Sequence, residues 1–161
     1  MDLPLFSRVF ARDLASLRAE VLAYPDDASM WVLPQGAPNP GGTLVLHLCG
    51  NLRHFIGAGL GNSGYVRDRE AEFSTRGTSR AELAALVHLT AAEVTLALQQ
   101  CDPARLDDTM TVGPTTITVR AGLLHLAVHL GYHLGQLDYH RRIVTGDPSG
   151  VGALAIQPLA G

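Results

Sequence analysis

The chain has no lysine: all 12 basic residues are arginine, and 15 acidic residues leave a net charge of −3. Such a balance builds no strongly basic face, which argues against nucleic acid as a partner. Cysteine is scarce, with only Cys49 and Cys101. Two thiols make no disulfide framework, so a reduced, cytoplasmic chain is the simpler expectation. Charged residues are few, at 17%, while hydrophobic residues reach 47%. That share excludes a disordered tail, which needs low hydrophobicity and high net charge. The N-terminal stretch carries Asp2, Arg8 and Arg12 and lacks the charge-then-apolar layout of a secretory leader. The longest charge-free runs hold His, Asn, Gln or many Gly and Pro, so no membrane span is expected. No internal repeat is visible. A length of 161 residues suits one domain, residues 1–161, with room for a core.

What is present is helical. A first helix over residues 5–24 repeats Leu14, Leu17, Val21 and Leu22 at helical spacing. It ends at Tyr24-Pro25, because the residue before proline avoids helical angles. Residues 28–42 contain Pro34, Pro38, Pro40 and three glycines and form a loop. A second helix starts near Thr43 and fades after Ile56 into a glycine-rich stretch. Residues 65–77, with Arg67-Asp68-Arg69-Glu70, form a charged crossover loop. The third helix opens on a capping box, Ser79 with Glu82, and reaches about Gln100. Residues 111–119 are β-branched around Gly113-Pro114 and predict a short hairpin or extended turn. The fourth helix covers residues 120–144 and stops before Gly146-Asp147-Pro148. The tail from Ser149 is apolar without a period and is expected to lie against the surface. Helices of roughly 14–25 residues are about 21–38 Å long. The fold class is therefore all-α, a four-helix bundle with a short β-hairpin before the fourth helix. The crossover between the second and third helices is long enough to join parallel neighbours.

Histidine decides the reading. Of His47, His54, His88, His125, His129, His133 and His140, four lie on the fourth helix. At about 100° per residue, His125, His129 and His133 step round by about 40° each, and Gln136 and His140 fall among them. Leu123, Leu126, Leu130, Leu134 and Leu137 take the neighbouring arc, and no formal charge occurs from Ala121 to Leu137. Such a helix is expected to be buried over most of its circumference. Burying imidazoles is costly unless each finds a partner. A metal ion supplies one, because His rings at i and i+4 are about 6 Å apart along the axis and can converge. His125 and His133, about 12 Å apart, cannot. The pair is His125 with His129 or His129 with His133. His47, inside Leu44-Val45-Leu46-His47-Leu48, is the best third ligand, and His54 follows on the same face. The rival is a polar network in a non-catalytic bundle used for protein interaction or dimerisation.

The run His129-Leu130-Gly131-Tyr132-His133-Leu134-Gly135-Gln136, with His47 in an apolar helix, resembles the DinB/YfiT-like superfamily. There the last long helix carries His-x-x-x-His followed by Arg-Gly-Gln or similar; Leu134 departs from it. The stretches 42–53 and 67–73 also resemble an uncharacterised branch, and the resemblance spans residues 5–144. It implies a four-helix bundle with a metal on His47, His129 and His133, rather than His125. Around that metal, His54, His125, Gln136, Tyr132 and Arg67 are expected as pocket residues or partners of the ligands, with His140 at the rim. Arg67 on a closing loop is the candidate for a substrate carboxylate. His88 is expected to be structural. Cys49 points about 200° away from His47, and Cys101 has no partner at metal spacing, so neither takes a site role.

Three neutral imidazoles with open positions describe a catalytic rather than a closed structural metal site. The ion keeps its charge and lowers the pKa of bound water or thiol. Relatives implied by the resemblance include thiol S-transferases and a thiol-dependent isomerase. A metal-dependent thiol S-transferase acting on small electrophiles is thus expected, with a metal-dependent hydrolase as the alternative. Imidazole ligands suit zinc, nickel, iron or copper; zinc or nickel is expected, with iron next. Residues 130–137 contain no acid, and His-Glu-x-x-His is absent, so no general base is identified. Expected partners are a small molecule, including a low-molecular-weight thiol, and a second copy of the chain through the first helix or the tail.

Overall fold

A computed structural model describes residues 2–160. Its helices are α1 (Leu3–Ala23), α2 (Gly41–Leu52), α3 (Arg69–Ser74), α4 (Arg80–Gln100) and α5 (Val119–Thr145). One antiparallel hairpin, β1 (Thr109–Val112) with β2 (Thr115–Thr118), precedes α5. The third and fourth helices expected from the sequence are α4 and α5. The charged crossover holds the short α3, which no apolar periodicity announced.

Local chemistry sets the boundaries. Asp2 caps α1, Thr118 caps α5, and Ser79 with Glu82 forms the expected capping box of α4. Gly146 ends α5 at φ 72, a left-handed angle that favours glycine. Helix α2 begins two residues before the expected Thr43, with Pro40 as its N-cap. Gly41 and Gly42 fit its first turn because neighbours crowd them. A Cβ on Gly41 would stand 2.6 Å from the Tyr24 hydroxyl, and one on Gly42 would stand 2.6 Å from the Trp31 ring.

Helices α1 and α2 each pack against both α4 and α5, which sets α1 diagonally from α2. The C-terminal ends of α1 and α5 meet, where Glu20 pairs with Arg141 and Tyr24 with His140. Arg80, opening α4, donates to the Tyr24 carbonyl at the end of α1. The first residue of α2, Gly41, donates its N–H to His140 near the end of α5. So α1 and α5 run one way, and α2 and α4 the other. The long crossover does join parallel neighbours.

Phe6, Phe10, Leu14, Leu17 and Val21 of α1 meet Leu83, Val87, Val94 and Leu98 of α4 and the leucines of α5 in one buried cluster. On α5, Leu123, Leu126, Leu130, Leu134 and Leu137 are buried as expected. Burial over most of its circumference is not observed. Leu124, Val128, Tyr132, Tyr139 and Ile143 are 48%, 64%, 64%, 68% and 65% exposed. A corner helix has two neighbours, which cover one arc; a second apolar arc looks the same in sequence and stays outside. Helix α4 is the one described helix long and apolar enough, by length and composition, to cross a membrane. Its apolar side packs on α1 and α2 here.

Candidate metal centre

Because α2 lies beside α5 and antiparallel to it, His47 faces the middle of the α5 histidine stripe. The ring of His47 is 5.1 Å from that of His129 and 5.4 Å from that of His133, and the α5 pair is 4.5 Å apart. Each ring is nearly perpendicular to the other two, at 79°, 88° and 83°. One nitrogen from each lies within 4.8 Å of the other two, so the three could hold a metal ion.

The outer nitrogens decide which lone pairs face inward. His47 Nδ1–H donates to Glu72 Oε2 at 3.0 Å. His133 Nδ1–H donates to Gln136 Oε1 at 2.6 Å. Both Nε2 atoms are then unprotonated acceptors. His47 Nε2 stands 3.2 Å from His129 Nε2. Two nitrogens each about 2.0–2.1 Å from one zinc ion, at a tetrahedral angle, would be about 3.3–3.4 Å apart, close to that separation. His129 Nδ1 is buried without a partner, so no hydrogen bond competes for that ring's orientation. Burial, and then the neighbouring His133, His47, His125 and Arg67, push His129 down to about 4. Burial also lowers His133. Both rings are neutral at neutral pH, the form that binds metal. The donor set fits a divalent cation with imidazole preferences.

Glu72, which orients His47, was missed in the sequence. Asp68 caps α3 by accepting from the Ala71 N–H. The short helix turns Glu72 inward while Glu70 stays exposed. Arg67 grips Glu72 with Nε to Oε1 at 2.6 Å and Nη2 to Oε2 at 2.8 Å. Burial alone would raise the Glu72 pKa, but the hydrogen bonds and charges of Arg67 and His47 outweigh it and hold the carboxyl below its usual range. Gly50 makes room: a Cβ there would lie 2.1 Å from Glu72 Oε1. The available signal was the acid-rich run after Arg67, which looks like an ordinary solvated face.

The other expected residues scatter. His125 stacks on His129 at 6.2 Å but is exposed. Tyr132 sets its ring 5.1 Å from His133, edge to face. His54 is exposed against Phe55, its pKa lowered by burial and then by Arg67. Arg67 is engaged by Glu72 rather than standing open toward a ligand. His140 lies outside the cluster, with its Nδ1 2.7 Å from the Tyr24 hydroxyl. His88 is exposed. Cys49 is fully buried, and burial pushes its thiol up to about 12, which leaves it inert.

A helical bundle with three convergent imidazoles on its second and last long helices is thereby defined. The chain belongs to the DinB superfamily, whose family model matches residues 10–137. No curated protein and no solved structure matches the chain.

Proposed function

We propose that this DinB-superfamily chain is a divalent-metal-dependent thiol S-transferase acting on small electrophiles, with zinc or nickel as the metal. The observation that carries this reading is the donor set: three imidazoles facing one point, with no carboxylate or thiolate among them. A divalent cation there lowers the pKa of a bound thiol, so that it reacts as the thiolate. His47 is held in one tautomer by Glu72, and His133 by Gln136. The thiol proton would leave to solvent. The thiolate sulfur attacks the electrophilic carbon, a C–S bond forms, and the leaving group departs with its bonding pair.

Transfer is favoured over hydrolysis because Glu72 is committed to Arg67 and His47. Among the described residues no free carboxylate is positioned at the cluster to relay a water proton, whereas thiolate attack needs none.

Elemental analysis of untagged protein should find about one divalent ion per chain. His129→Ala and His133→Ala should lose it. Cysteine addition to 1-chloro-2,4-dinitrobenzene should fall to the protein-free rate on chelation and return with zinc. Protein that stays metal-free after incubation with zinc or nickel overturns the site. Equal rates for loaded and chelated protein overturn transfer. Metal-dependent cleavage of p-nitrophenyl acetate without thiol transfer would assign a hydrolase.

A further inference from the structure

Beside the histidine cluster, a groove of about 540 Å³ runs between the proline-rich loop at residues 34–39 and α5. That volume is within the range of small-molecule sites, about 300–1,000 Å³. His133 and Gln136 line it, which connects it to the candidate metal centre. Its apolar walls come from Pro34, Pro38, Leu44, Tyr132, Tyr139 and Ile143. Three of these, Tyr132, Tyr139 and Ile143, belong to the apolar arc that α5 leaves outside the bundle. Large apolar side chains gathered along a concave, exposed strip call for a ligand more than isolated ones do.

No Asp, Glu or Arg side chain lines the groove. The charged residues on this part of α5 are spent elsewhere. Asp138 and Arg142 pair at 2.9 Å, and Arg141 pairs with Glu20 at 2.6 Å in the core. Away from the metal centre, an ionised ligand group would lose water here and find no Asp, Glu or Arg side chain to pair with. Apart from its histidines, the polar lining is uncharged amide and hydroxyl, from Gln35, Asn39, Tyr132 and Tyr139, with Gln136 the amide beside the cluster. Gln136 Oε1 accepts from His133, so its amide N–H groups are left to donate to a ligand oxygen.

We propose that this groove binds the electrophilic substrate, and that the substrate is an uncharged, largely apolar small molecule with a hydrogen-bond acceptor near its reacting end. The direction of the reacting end, toward His133, rests on the metal-centre reading; the groove and its neutrality do not.

Two dyes that share an aromatic body test this. N-phenyl-1-naphthylamine is neutral, and 1-anilinonaphthalene-8-sulfonate adds one anionic group. Both are titrated by fluorescence into full-length protein, zinc-loaded and after chelation. The neutral dye should saturate one site per chain and, in chelated protein, bind at least about tenfold tighter than the sulfonate, whose charge finds no partner among the lining side chains. Tyr139→Asp and Ile143→Asp each put a charge into the groove at an exposed position and should weaken the neutral dye at least about tenfold. Leu96→Asp, on the exposed side of α4, should leave it unchanged. Equal affinities for the two dyes overturn the inference. So does neutral-dye binding that both groove variants leave intact, or no saturable binding to folded protein. Zinc content is read on the same samples. Dye binding without zinc keeps the groove and removes the metal; zinc without dye binding does the reverse.

Discussion

Replacing Glu72 by glutamine tests how the centre is braced. Glu72 and Arg67 side chains are only 5% and 13% exposed, so water screens their interaction with His47 little. Glutamine keeps an acceptor for His47 Nδ1–H but loses the charge. Removing a partner of a metal-binding histidine costs about 10–100-fold in metal affinity, or about 1.4–2.7 kcal/mol. Glu72→Gln, which retains one hydrogen bond, should fall near the tenfold end. Glu72→Ala, which retains none, should approach about 100-fold. Gly50→Ala offers an independent route, since its Cβ would displace the carboxylate from 2.1 Å without removing it. Its zinc affinity should lie between wild type and Glu72→Ala. The assay is competition against a chromophoric chelator, with the folded fraction of each variant fixed by circular dichroism. A folded Glu72→Gln protein with wild-type zinc affinity, together with an unaffected Gly50→Ala, would refute the idea that Glu72 orients a ligand.

Two further outcomes concern the fold. The Glu20–Arg141 pair is 2.6 Å long, and its side chains are 0% and 1% exposed. Glu20→Ala leaves the buried guanidinium only Asp138, Asp147 and the Ser149 carbonyl, so the cost should fall at or below the lower end of about 3–5 kcal/mol, lowering the melting temperature by roughly 5–10 °C. The double change Glu20→Met with Arg141→Leu should recover most of that loss; a single variant melting like wild type contradicts it. His140 sits between the Tyr24 hydroxyl, the Val32 carbonyl at 2.9 Å and the Gly41 amide, and burial lowers its pKa more than the Val32 bond raises it. The unfolded chain therefore takes up the proton first as pH falls. Stability is full above the unfolded value of about 6.5 and declines as pH drops toward the lower folded value. His140→Gln should flatten the slope of denaturation free energy against pH in chelated protein. His54, His129 and His133 shift the same way and contribute to the remaining slope, and at lower pH so does Glu72. An identical slope in the variant would remove His140 as a contributor.

The bundle was legible because its signals are local. The leucine spacing on α5, the capping box at Ser79 and the Gly113-Pro114 turn each depend on residues within a few positions of one another. The three histidines that converge were also named from the sequence: local i, i+4 spacing narrowed α5 to His125 with His129 or His129 with His133, His47 stood out in an apolar run, and the family resemblance chose between the pairs. The bracing was not legible. Glu72 is 25 residues from His47, and its partnership needs α3, the room at Gly50 and the grip of Arg67 together. Nor does a charge-free helix say which of its apolar arcs is covered. Only the square of α1, α4, α2 and α5 shows that Leu126 faces in and Val128 faces out.

These details combine into one electrostatic arrangement. A carboxylate beside a metal centre normally offsets part of the cation's charge. Here the carboxylate of Glu72 is paired bidentately with Arg67, so the two charges nearly cancel as seen from the cluster. Glu72 can fix the tautomer of His47 while leaving the field of a bound cation almost undiminished. His133 is braced by an uncharged amide, and His129 by no hydrogen bond at Nδ1. None of the three candidate ligands is a carboxylate or thiolate, and no Asp, Glu or Arg side chain among the described residues lines the adjoining groove. On the proposed reading, a cation held there would keep its power to acidify a bound thiol. The crossover that carries α3 thus does two jobs: it joins two parallel helices and delivers an orienting anion already neutralised.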